Sequence, residues 1–69
     1  MRMLKISLNG IEHDIEPATS VAAFLVENGY GQRRIAVEIN CEIVPKSVHA
    51  QRLLHDGDRV EIVQPLGGG

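Results

Sequence analysis

Apolar and polar positions alternate first, over Leu4, Ile6 and Leu8, with Lys5 and Ser7 between them. That period of two predicts a strand with one buried face. Asn9-Gly10 follows, and a two-residue type I′ turn needs positive φ at both of its central positions. Ile11, His13 and Ile15 then alternate with Glu12 and Asp14. A two-residue turn pairs Leu8 with Ile11, Ile6 with His13 and Leu4 with Ile15, so these six side chains share a dry face that needs a cover.

The pattern then changes period. Pro17 ends the strand, and Thr19 or Ser20 can cap a helix start. Val21, Phe24 and Leu25 form an apolar stripe at helical spacing, and Gly29 stands where a helix end wants a left-handed residue. The spacing predicts a helix over 20–28. Tyr30 to Arg34 reads as a polar loop. Ile35, Val37 and Ile39 predict a third strand, Asn40-Cys41 a turn, and Glu42 to Val44 a short strand ended by Pro45. Residues 46–55 carry no clean period, which predicts a loop with one helical turn. Asp56-Gly57-Asp58 is a turn, and Arg59 to Gln64 a last strand with Val60 and Ile62 facing inward. The order predicts an α+β domain over 1–64: a mixed sheet of four to five strands, its first and last strands paired in parallel at the centre, and one main helix on one face. Residues 65–69 are expected as a flexible glycine tail.

Size and composition narrow what such a domain does. At 69 residues it buries only about 60% of its unfolded surface, which leaves no room for a deep active site. Seven Lys and Arg against nine Asp and Glu give a net charge of −2. A nucleic-acid binder needs a basic surface, and Phe24 and Tyr30 are too few for base stacking. One cysteine, Cys41, makes no internal disulfide and fits a reducing compartment. No apolar run approaches a membrane span, and the N-terminus lacks a signal-peptide pattern. The expectation is a cytoplasmic protein that binds neither membrane nor nucleic acid.

Few residues carry chemistry. His13, His49 and His55 match no metal-ligand spacing, so no metal site is expected. His13 is expected to pack partly at the sheet edge, and His49 and His55 to be solvated. Cys41 reads either as a reactive thiol or as a tolerated residue in a turn, and the lack of a nearby activating group favours the turn. Strand parity puts Glu12, Asp14, Glu38 and Glu61 on the outer face of the sheet, where no pocket shifts a carboxylate pKa for acid–base work. No catalytic residue is expected.

The last three residues are different. At average glycine usage, three terminal glycines arise by chance in roughly 3 of 10,000 chains. Without Cβ atoms, Gly67, Gly68 and Gly69 fit a narrow tunnel and take backbone angles closed to other residues. They put a bare carboxylate at the tip of a thin thread. Such a carboxylate can reach the α-phosphate of ATP inside another protein and become an acyl-adenylate.

Asn9-Gly10, Thr19 to Leu25, Ile35 to Asn40, Ile43-Val44-Pro45, Asp56 to Val63 and the terminal glycines together resemble the ThiS family, the sulfur carriers of thiamine biosynthesis. The resemblance covers essentially the whole chain; Cys41 departs from it, standing where the family usually has glycine. It implies a β-grasp, ubiquitin-like fold and a carrier that is not itself an enzyme. It implies no bound cofactor, with ATP used by the partner. An E1-like adenylyltransferase (ThiF) would activate Gly69, with Gly67 and Gly68 required for that activation. A cysteine desulfurase or related donor would supply sulfur to form a thiocarboxylate, which thiazole synthase (ThiG) would consume. Partner docking is expected on the sheet face opposite the helix, through Val63, Pro65 and Leu66 with Ile43 or Val44. The competing readings are a molybdopterin synthase small subunit, a modifier that conjugates to lysines, and a β-grasp interaction module whose tail is inert.

Overall fold

Two asparagine-led turns hold the sheet, one at each of its ends. In the computed structural model, which describes residues 2–31 and 33–64, Asn9 and Gly10 have φ of 50° and 85°. They join β1 (Leu4–Leu8) to β2 (Ile11–Ile15) in the register expected, Leu4 with Ile15 and Leu8 with Ile11. Asn40 and Cys41, at φ of 53° and 71°, join β3 (Ala36–Ile39) to β4 (Glu42–Ile43). The last strand, β5 (Arg59–Val63), lies between β1 and β3. It runs parallel to β1 and antiparallel to β3, and the sheet order is β2-β1-β5-β3-β4. This is the β-grasp arrangement, with its parallel central pair. The glycine tail expected over 65–69 lies outside the described residues.

Both turn asparagines also clamp β5. β1 ends at Leu8, so the ladder would leave the Ile62 amide without a partner on that side. The Asn9 side-chain oxygen accepts from it at 2.8 Å, and the Asn9 amide donates to the Val60 carbonyl at 2.9 Å. Asn40 does the same one strand over, its side-chain oxygen accepting from the Arg59 amide at 2.9 Å. Its Nδ2 donates to the buried carboxylate of Asp58 at 3.0 Å. The other Asp58 oxygen accepts from the His55 amide at 2.8 Å. Each oxygen of this buried carboxylate thus accepts a bond, as burial demands.

The helix α1 spans Val21–Glu27. Ser20, not Thr19, caps it, its hydroxyl accepting from the Ala23 amide at 3.0 Å. The other free amides of the first turn are taken by the segment that follows β4. Val21 N donates to the Arg52 carbonyl at 2.8 Å and Ala22 N to the His49 carbonyl at 2.9 Å. Gly29 closes the helix at φ 85°. Val21, Phe24 and Leu25 fill the core against Ile6, Val37, Ile39 and Val60.

Three expectations change. His49 is not solvated: it is 8% exposed, with Nε2 3.0 Å from the Val44 carbonyl oxygen. The cause is the same contact that caps the helix, because residues 46–52 must lie against α1 to meet its amides. Within that segment the one helical turn is Lys46–Val48. Val44 leaves the strand and is buried, while Ile43 faces out. Ile11 is 67% exposed although parity puts it on the core face. Burial fades along β2 toward the Asn9-Gly10 turn: Ile15 is 6% exposed and in the core, whereas Ile11, at the turn, lies beyond the cover of the helix. His13, one pair further in, is half-buried and meets Phe24 edge-on at 5.8 Å.

Cys41 sits in the left-handed region without being glycine, a conformation that costs about 1–2 kcal/mol for ordinary residues. Replacing Cys41 by Gly is expected to raise stability by roughly 0.5–1 kcal/mol. A urea midpoint that falls in Cys41→Gly would show that the cysteine side chain makes a stabilising contact there.

Candidate functional site

The outer face of the sheet, away from α1, carries the residues that parity singled out. On it Val63 pairs with Ala36, Glu61 with Glu38, and Glu38 with Ile43. Ile43 is 71% and Val63 53% exposed. They lie on one face of three adjacent strands, one residue pair out of step, which puts them about 12 Å apart at ordinary strand spacing. Of the expected docking residues, these two are brought together. Val44 turns inward and does not join them. Pro65, Leu66, Gly67, Gly68 and Gly69 lie outside the described residues.

Between Ile43 and Val63 stand Glu38 and Glu61, directly opposite one another in the β3–β5 ladder. Like charges so placed weaken a sheet. No core contact explains their pairing, whereas an apolar patch carrying acidic groups suits a partner surface with basic residues. Further along the same face Lys5 Nζ meets Asp14 Oδ1 at 3.0 Å, both side chains largely exposed. The Asp14 hydrogen bond, then the Asp14 and Glu12 charges, hold the Lys5 ammonium above the ordinary lysine range.

No group of three His, Cys, Asp or Glu among the described residues could hold a metal ion. Cys41 is exposed and borders a small hollow of about 120 Å³ with Ser7, Gly10, Arg59 and Glu61. His55 is exposed, its Nδ1 4.0 Å from Asp58 Oδ2. No helix among the described residues is long and apolar enough to cross a membrane. Sequence reasoning missed the paired role of Asn9 and Asn40 and the burial of Asp58. The signal lay in the repeated asparagine at each turn start, legible only once both turns are known to flank one strand.

Comparison with known proteins bears on the whole chain. The sequence model of the ThiS family matches residues 6–69. The thiazole synthase of Paramagnetospirillum magneticum is 47% identical over 66 residues, which are 96% of this chain and 20% of that protein. The thiazole synthase of Magnetococcus marinus is 33% identical over 66 residues, again 20% of its length. The chain thus spans one fifth of these two relatives. An uncharacterized protein of Porphyra purpurea, ycf40, is 30% identical over 96% of this chain and 93% of its own length. Among solved structures, the thiamine biosynthesis protein ThiS from Geobacter metallireducens superposes with a TM-score of 0.83 at 25% identity. The match covers 96% of this chain and all of that one.

Proposed function

The chain belongs to the ThiS family, and on that premise we propose that it is a sulfur carrier of thiamine biosynthesis whose reactive group is the α-carboxylate of Gly69. The observation that carries the reading is the family match over residues 6–69, which takes in the central strand β5 and the three glycines after it. A carboxylate oxygen of Gly69 attacks the α-phosphorus of ATP in the site of an E1-like adenylyltransferase, and pyrophosphate leaves. The terminal sulfur of a persulfide on a cysteine desulfurase or related donor then attacks the acyl carbon and AMP leaves; two equivalents of a thiol reductant cleave the S–S bond of the resulting acyl disulfide, releasing the donor thiol and becoming a disulfide themselves. The product is a thiocarboxylate, which a thiazole synthase consumes as it builds the thiazole ring. The relatives named thiazole synthase support that recipient over molybdopterin synthase. The reading requires ATP and free thiols, hence the cytoplasm, and requires the carboxylate of Gly69 to be free.

In this account the chain is a co-substrate and the enzymes are its partners. Its folded part supplies recognition. Ile43 and Val63 dock the adenylating enzyme, with Pro65 and Leu66 leading into the glycines and Gly67 and Gly68 lining the enzyme's tunnel. Exchange of labelled pyrophosphate into ATP by the adenylating enzyme, dependent on added chain, tests the first step. Absence of exchange with an active enzyme and a working control carrier would overturn it. In the same assay Ile43→Ser is expected to raise the KM for the carrier about tenfold, the loss typical of an interface anchor, with kcat little changed. An unchanged KM would remove Ile43 from the docking surface.

A further inference from the structure

The described surface has a second feature, on the helix side of the sheet, that the docking face does not use. A groove of about 270 Å³ runs between the later part of α1 and the segments around residues 33–35 and 46–50. Leu25, Val26 and Ile35 form its apolar floor and wall, Val26 being 66% exposed. Arg33, Arg34 and Lys46 stand around it, all three exposed. Among the described residues no Asp or Glu lines it, and none of the three cations is ion-paired with a described residue. A chain with a net charge of −2 thus gathers three of its seven Lys and Arg at one apolar cleft.

We propose that this groove seats an acidic segment of a partner protein. One aliphatic side chain of that segment fills the cleft, and its carboxylates meet Arg33, Arg34 and Lys46. Charge decides the sign of the occupant: the groove's lining is cationic, while the outer sheet face carries Glu12, Asp14, Glu38 and Glu61. Size favours a side chain over a whole small ligand. Sites that bury most of a small molecule run from about 300 to 1,000 Å³, and this groove falls below that range. Its position also favours a macromolecule. A neighbouring hollow lined by Asn9, Tyr30, Arg33, Ile62 and Gln64 shares Tyr30 and Arg33 with the groove. The Arg33 guanidinium lies 6.0 Å from the centre of the Tyr30 ring. The two recesses together reach Gln64, the last described residue before the glycines. A partner that takes up the chain end therefore lies within reach of the groove. The inference stands on the groove itself and survives if the sulfur chemistry proves wrong.

The test is an amide NMR titration of the full chain with the peptide acetyl-Glu-Glu-Leu-Glu-Glu-amide. Saturable shifts are expected at Val26, Arg33, Arg34, Ile35 and Lys46, with a Kd on the order of 1 mM. Replacing the peptide's Leu by Ser should remove most of the shift. Arg34→Glu combined with Lys46→Glu should weaken binding roughly tenfold, as two rim ion pairs turn repulsive, with a dispersed spectrum showing that the fold is kept. If that pair unfolds the chain, the single Arg34→Gln should weaken binding in the same direction. Four results would each overturn the proposal: no saturable shift, shifts confined to the outer sheet face, the same shifts from sodium phosphate alone, or binding to phosphatidylglycerol vesicles with none to the peptide.

Discussion

Deleting Gly68 and Gly69 is expected to abolish sulfur transfer while moving the unfolding midpoint by no more than about 2 °C. The two halves of that result have separate causes. Stability is expected to rest on the described core, whose buried apolar residues run from Ile6 to Val60, and the deletion takes none of those residues. Transfer rests on reach. Two residues of extended chain span about 7 Å. A carboxylate must come within about 3–3.5 Å of the phosphorus it attacks. The truncated chain still ends in a glycine carboxylate, that of Gly67, but this one stops about two reacting distances short. Transfer above roughly 1% of the parent rate, a loss of under about 3 kcal/mol, would contradict the account. A thermal midpoint that falls well beyond 2 °C would mean that the glycines pack on the domain.

Phe24→Ala is expected to cost about 3–5 kcal/mol. Phe24 is 2% exposed and heads the largest fully buried side chains. It plugs the middle of the sheet from the helix side and gives His13 its edge-on partner. A 69-residue domain has about 3–10 kcal/mol of stability in all, at ~0.05–0.15 kcal/mol per residue. The substitution therefore removes a third of it at the least and the whole of it at the worst. Urea unfolding followed by circular dichroism measures the loss, with Leu53→Ala, at an exposed position, as the surface control. A loss below about 1.5 kcal/mol would mean that the core recloses around the gap.

The strands were legible because alternation and turn chemistry agree locally: Asn9-Gly10 and Asn40-Cys41 both take the positive φ pair that a type I′ turn needs. The helix was legible from its apolar stripe and from Ser20 and Gly29. The burial of His49 and Asp58 was not, because neither depends on local pattern. His49 is drawn in by the amides of the α1 first turn, and Asp58 by Asn40, 18 residues away. Ile11 misled for the opposite reason. Its parity is right, but it stands at the turn end of β2, past the reach of the cover that buries Ile15 at the other end of the same strand.

At the candidate site, parity alone placed Val63 outward and left Ile43 and Val44 open between them. The tight turn at Asn40-Cys41 settles the choice, since the pairing of Glu38 with Ile43 puts Ile43 on the outer face. The glycines were legible by composition and resemblance, which bear on chemistry. The cationic groove was hidden because Arg33-Arg34 reads as an ordinary polar loop. Only the fold brings Lys46 beside it, across Leu25 and Val26.

The proposed carrier role stands or falls on whether Gly69 accepts sulfur. Intact-protein mass spectrometry tests it most directly, after incubation of the chain with ATP, the E1-like enzyme and a sulfur donor. The account predicts a gain equal to one oxygen replaced by one sulfur, carried by the fragment that ends in Gly69. No gain, with an active enzyme and a control carrier that is converted, or a gain carried by Cys41 instead, would contradict it.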